Sequence, residues 1–178
     1  MSSLNRSPNV AFHGLFLPAN SERYIFGKGK MWEALWNTEE AYTLAGQDSR
    51  CWAINGDVQY TSDDVLVMYH DTTVPFGELG NSYAISDLTY AQIQTIVLTQ
   101  GGVDYSIPTF DEFIQTCRTY GKVCCIELKG RTSPWSWSAN GKSDLLDEMV
   151  QKLCDLGMQD SSFFMAPEFL KNVKLIVS

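Results

Sequence analysis

Apolar and polar positions follow two rhythms along the chain. Residues 51–61 (CWAINGDVQYT), 65–71 (VLVMYHD) and 122–129 (KVCCIELK) are short runs of β-branched, aromatic and aliphatic residues, the composition of strands. The first two flank a Thr-Ser-Asp-Asp turn at 61–64. Residues 9–16 (NVAFHGLF), 161–167 (SSFFMAP) and 174–178 (KLIVS) add further strand-like runs, with a short helix at 168–173. Between the strands, apolar residues recur at helical spacing over 31–45, stopping at Gly46, and over 144–156, stopping at Gly157. Asp87 or Thr89 is placed to cap a short helix in YAQIQTIVL. Thr109 with Glu112 three residues on forms a capping box for a helix that ends at Gly121.

Strands alternating with helices predict a mostly parallel sheet with helical crossovers, an α/β fold in one domain covering 1–178. The pattern yields about six strands, enough for an open doubly wound sheet and too few for a closed eight-stranded barrel. No GxGxxG or GxxxxGK[ST] loop stands at a strand-to-helix junction, so dinucleotide and P-loop chemistry lose their support. The stretch 131–143 (RTSPWSWSANGKS) reads as the most flexible part.

Charge narrows the partners. Thirteen basic against twenty-one acidic side chains give a formal charge of −8, which argues against nucleic acid and would repel an anionic substrate unless a cation intervened. No run is long and apolar enough for a membrane span, and MSSLNRSPNVAF lacks a signal-peptide core, so synthesis in the cytoplasm is expected. The five cysteines form no CxxC pair and read as reduced, buried, small apolar residues. Adjacent in one strand, Cys124 and Cys125 should point to opposite faces.

Polar residues gather at the ends of these strands, where parallel α/β proteins bind ligands. They are His13, then Asn55 and Asp57 on one strand face, His70 with Asp71, and Glu127 with Lys129 on one face. A charge on a strand buried on both sides must be paired or bind a metal. Asn55, Asp57 and Glu127 form an all-oxygen set of the kind Ca²⁺ or Mg²⁺ prefers, and the chain's two histidines could serve as acid and base. The plainer readings are structural histidines, a simple Glu127–Lys129 ion pair, and a bulge at Gly56 shaped by Asn55 and Asp57.

The succession of His13-Gly14 after an apolar strand, NTEEAYTLAG, INGDVQYTSDD, VLVMYHD, IPTFDEF, CCIELK and SSFF resembles the glycerophosphodiester phosphodiesterases, which are metal-dependent TIM barrels. The resemblance implies His13 and His70 as general acid and base, with 65–71 a barrel strand that delivers His70 to the site mouth, Asp57 and Glu127 as metal ligands with Asn55 at a third ligand position, and Lys129 as the group that neutralises phosphate. It also implies attack by the adjacent glycerol hydroxyl, a cyclic phosphate, and its opening by water. Three departures stand out: Asn55 replaces a metal-binding glutamate, Gly14 directly follows His13 where an arginine is expected, and Trp36 replaces the glutamate of a Glu-Asn-Thr signature. Arg23, Lys28 and Lys30, in a long 15–35 loop, are candidates to replace the missing arginine.

The expected architecture is thus a (β/α)8-like TIM barrel, incomplete at its C-terminal side and completed by an oligomer partner or a longer polypeptide. The resemblance implies hydrolysis of glycerophosphodiesters to glycerol 3-phosphate and an alcohol. The departures leave two alternatives: an impaired module that binds glycerophosphate polymers or lipids, for instance as a virion component, and a structural assembly domain.

Overall fold

The computed structural model describes residues 15–16, 24–27, 29–30, 33–77, 81–129, 141 and 143–165. Strand β1 (Leu15–Phe16) pairs antiparallel with β2 (Tyr24–Gly27), which runs parallel to β3 (Cys51–Tyr60). Helix α1 (Glu39–Gln47) bridges β2 and β3. A hairpin turn at Thr61–Asp64, closed by Thr61 N donating to Val65 O at 3.0 Å, leads into β4 (Leu66–Met68), antiparallel to β3. The excursion that follows holds β5 (Val74–Phe76), β6 (Asn81–Tyr83), α2 (Tyr90–Ile93), β7 (Leu98–Gln100) and β8 (Val103–Tyr105). Helix α3 (Phe110–Thr119), β9 (Val123–Leu128), α4 (Ser143–Asp155) and β10 (Ser162–Met165) complete the described elements.

In the main sheet the parallel strands lie in the order β2-β3-β9-β10, each beside its predecessor. A doubly wound sheet reverses direction at a switch point, whereas barrel winding steps one way throughout. Helices α1, α3 and α4 also share one side. Ile54, Val58, Cys124, Ile126 and Leu128 pack there in one core with Tyr42 of α1, Phe113 and Cys117 of α3, and Met149 of α4. The order and the one-sided helices both select barrel-type winding over the doubly wound alternative.

Local chemistry explains the helix boundaries. Thr109 and Glu112 form the expected reciprocal cap, and Thr89, not Asp87, caps α2 with Gln92. Helix α1 is shorter than the periodicity of 31–45 suggests, because Asn37 stands at φ 53° and Thr38 caps the chain by accepting from Ala41 N. Gly46 is no stop: it lies inside α1, where a Cβ would come within 2.4 Å of the Tyr120 ring. Nor is there a bulge at Gly56, which pairs in register with Ile126. Its missing side chain admits Met68 Cε, which a Cβ would meet at 2.5 Å.

Two further expectations change. The run 65–71 is the return arm of a hairpin rather than a barrel strand, since its short turn permits only antiparallel pairing. A strand unmarked by the sequence pattern, β2, lies inside the 15–35 loop. Cys51, Cys117, Cys124 and Cys125 are buried free thiols, but Cys154 is exposed. Cys124 and Cys125 do join different apolar clusters. His13, Arg23, Lys28, most of 9–16 and 131–143, and the runs 168–173 and 174–178 lie outside the described residues.

Candidate functional site

The face of the sheet opposite the helices changes character along the strands. Near the amino ends, Ile25, Ala53 and Cys125 form an apolar cluster with Phe163 stacked on Trp52. Toward the carboxyl ends, strand alternation brings Asn55, then Asp57 and Glu127, to this same face. Asp57 and Glu127 are register partners on neighbouring strands and both are buried, Asp57 completely. Neighbouring strands lie about 4.8 Å apart, so the two side chains are adjacent on this face. Two buried carboxylates at that range stay ionised together only beside positive charge.

Lys129 supplies it. Its backbone N donates to Val58 O at 2.8 Å, which extends the ladder past Leu128. Its Nζ lies 2.6 Å from Glu127 Oε1 and 3.5 Å from Asp57 Oδ1. The expected Glu127–Lys129 pair is therefore a three-membered cluster that spans both strands.

Asn37 holds the other side of Asp57. Its Nδ2 donates to Asp57 Oδ2 at 2.8 Å, and its Oδ1 accepts from Asp57 N at 3.0 Å and from the Tyr42 hydroxyl at 2.8 Å. Burial, and then the charge of Asp57, hold the Tyr42 hydroxyl well above its usual pKa, so it remains a donor. Sequence reasoning assigned Asn37 no role at the site. The available signal was an asparagine directly before a helix-capping threonine, a place where a positive φ is tolerated.

His70 is fixed by backbone contacts. Tyr69 N donates to Asp57 O at 2.9 Å, tying the segment to β3. Gln59 Nε2 donates to both Tyr69 O at 2.7 Å and Asp71 O at 2.8 Å, bracketing the histidine. Its Nδ1 lies 2.7 Å from Asp71 Oδ1, and Trp36 meets the ring edge-on with centroids 5.7 Å apart. Gln59 is the other contributor that sequence reasoning missed, while Trp36, noted in the sequence only as a departure from the Glu-Asn-Thr signature, packs on His70.

Asn55 lies on the face of Asp57 but donates Nδ2 to Cys125 O at 3.1 Å, which bonds its amide to the next strand. Lys30 is engaged by Glu33 at 2.7 Å and Asp48 at 3.5 Å, an arrangement that does not carry it to the carboxylate cluster. Asp57, Glu127 and the Asn55 carbonyl are the oxygen donor types that suit a hard divalent cation. Among the described residues no set of three His, Cys, Asp or Glu groups forms a metal site; the cluster brings together two carboxylates, with the Asn55 amide on the same strand face. No described helix is long and apolar enough to cross a membrane.

Known structures share this arrangement of elements. A glycerophosphodiester phosphodiesterase from Agrobacterium tumefaciens str. C58 superposes with a TM-score of 0.60 at 22% identity, covering 79% of this chain and 56% of its own. An Oleispira antarctica phosphodiesterase in complex with the product sn-glycerol-3-phosphate gives 0.62 at 22% identity, over 79% and 55% respectively. A glycerophosphodiester phosphodiesterase from Thermotoga maritima gives 0.54 at 22% identity, over 79% and 52%. The chain thus spans about half the length of these structures, and the described residues form part of the same TIM-barrel fold. No curated protein matches the chain significantly. The family model for the glycerophosphoryl diester phosphodiesterase family matches residues 35–157, from just before Asn37 to just after α4. With more than half of its length matched, the chain belongs to the glycerophosphoryl diester phosphodiesterase family.

Proposed function

We propose that this chain contributes the carboxylate, lysine and histidine groups of an active site that hydrolyses glycerophosphodiesters to glycerol 3-phosphate and an alcohol, with Ca²⁺ or Mg²⁺ as cofactor. The observation that carries this reading is the Asp57–Glu127–Lys129 cluster at the carboxyl ends of β3 and β9, with His70 tethered to the same strand. The glycerol 3-phosphate bound to the Oleispira antarctica relative supports the substrate class.

Asp57 and Glu127, with the Asn55 carbonyl, would hold the cation. When bound, the cation supplies Lewis-acid polarisation of a phosphoryl oxygen and a positive field in a chain of net charge −8. Lys129 neutralises phosphate charge. Asn37 fixes the Asp57 carboxylate through Oδ2. With Nδ1 engaged by Asp71, proton transfer by His70 falls to Nε2. His13 is assigned the complementary proton-transfer role.

Asn55 favours a second reading, a module that binds glycerophosphate groups without turnover, because loss of a charged ligand weakens the hold on a hard cation. Release of glycerol 3-phosphate from glycerophosphocholine, with Ca²⁺ or Mg²⁺ against EDTA, separates the two in the native chain and Asn55→Glu. Metal-dependent turnover by the native chain is expected. Turnover by Asn55→Glu alone would make the binding module the leading reading, and silence from both would defeat the catalytic reading.

A further inference from the structure

Tyr42 is a residue of the apolar core with a polar end. It is fully buried on α1, packs in one core with Ile54, Val58 and Phe113, and has its ring centroid 4.8 Å from that of Phe113. A phenylalanine ring would fill this space equally, and a buried hydroxyl costs stability unless it finds an acceptor. The acceptor is Asn37 Oδ1 at 2.8 Å, on the residue that also binds the Asp57 carboxylate. We infer that Tyr42 is a positioning residue of the site, its hydroxyl acting through Asn37 to fix the direction in which Asp57 offers its carboxylate. This inference rests on the metal-dependent reading proposed above and extends it into the helix-side core.

Two backbone features make the contact. Asn37 precedes the Thr38 cap at φ 53°, a left-handed conformation. Gly56, next to Asp57 in β3, leaves room, since a Cβ there would come within 3.0 Å of the Tyr42 hydroxyl oxygen. The hydroxyl therefore lies against the strand that carries Asp57. Asn37 Oδ1 accepts from both the Tyr42 hydroxyl and Asp57 N, which occupies both lone pairs of an amide oxygen. A flipped amide would set its NH2 against the Asp57 N–H, so Nδ2 is directed at Asp57 Oδ2, 2.8 Å away. Donors on the amide oxygen also polarise its N–H bonds toward that carboxylate. Asp57 has other partners, Lys129 among them; Tyr42 acts on the Oδ2 side.

Tyr42→Phe removes the hydroxyl and keeps the ring, and Asn37→Gly removes the relay while accepting the positive φ. A double-mutant cycle of these two, read by Ca²⁺ calorimetry, measures their coupling. Tyr42→Phe should weaken Ca²⁺ binding about tenfold, the lower end for residues that orient a metal ligand, and should add nothing in the Asn37→Gly background. Melts in EDTA give a metal-free arm. Tyr42→Phe should lower the melting temperature of the native chain but raise that of Asn37→Gly, where the hydroxyl has lost its acceptor. A further fall there would overturn the relay through Asn37. Native Ca²⁺ affinity in a folded Tyr42→Phe, or losses that add across the cycle, would overturn the positioning role and leave the metal reading intact. If Ca²⁺ binds only after Asn55→Glu, the same cycle in that background decides. Absence of Ca²⁺ binding in the native chain and in Asn55→Glu would remove the metal reading and the positioning role together.

Discussion

On the helix-facing side of β3 and β9, Ile54, Val58, Cys124, Ile126 and Leu128 pack against the buried rings and thioethers of three helices. On the opposite side the same two strands present Asn55, Asp57 and Glu127, with Lys129 closing the pair. Successive residues of one strand thus belong to different physical regimes. Burial of apolar area drives the first side. The second holds buried charge beside ionic and hydrogen-bonded partners, Lys129 and Asn37 among them. Stability and chemistry are therefore separable by residue parity, and substitutions at alternate positions should have different consequences.

The largest effect on stability should come from the helix side. Phe113 is fully buried, with its ring centroid 4.8 Å from Tyr42 and 6.4 Å from Phe110. Phe113→Ala should cost about 3–5 kcal/mol in denaturant unfolding. A loss below about 1 kcal/mol would mean that the helices do not anchor the sheet through this face.

The adjacent cysteines sharpen the contrast. Both thiols sit in apolar clusters, but Cys125 lies 3.8 Å from Asn55 Nδ2, a donor that a serine hydroxyl could accept from, whereas the polar neighbour of Cys124 is the Cys117 thiol, a weak partner. Cys124→Ser should therefore destabilise more than Cys125→Ser, by about 1–3 kcal/mol, the cost of burying a poorly satisfied hydroxyl. Equal losses in paired melts would show that the two faces are not chemically distinct at this level.

The smallest effect lies away from both faces. Hydrogen bonds from Arg50 hold the Asp48 carboxyl well below the ordinary carboxylate range. A lowered carboxylate pKa stabilises the folded chain above about pH 4, and that contribution fades as pH falls toward the lowered value. Asp48→Asn should flatten the acid limb of melting temperature against pH by a small margin, because Arg50 is largely exposed. Superimposable acid limbs would assign the acid sensitivity elsewhere, with the buried carboxylates as the first candidates.

Legibility in the sequence followed the range of the interactions. The Thr109–Glu112 capping box, β3, β9 and the opposed thiols depend on neighbours within a few residues and were readable. The hairpin was readable too, since the Thr-Ser-Asp-Asp turn is far shorter than the dozen or more residues a parallel connection needs. The apolar run and its His-Asp ending instead favoured a barrel strand. Strand β2 is too short to show a period of its own. At the site, polar strand ends pointed to Asp57, Glu127 and Lys129, but their joint cluster depends on the register of β3 with β9. Asn37 was visible as the middle of the Glu-Asn-Thr signature, but its role was not, because its partner lies twenty positions away and its positive φ leaves no mark on the pattern.

The central claim is that the inward carboxylate pair is a working metal and phosphate site. It is tested most directly by Ca²⁺-dependent release of glycerol 3-phosphate from glycerophosphocholine, with native chain and Glu127→Gln assayed side by side and their melts recorded. EDTA-sensitive turnover by the native chain is expected, with a loss of about a hundredfold or more in Glu127→Gln, the scale of one lost transition-state contact, in a protein that still melts cooperatively. Undiminished turnover in a folded Glu127→Gln would contradict that claim and place the chemistry elsewhere on the barrel.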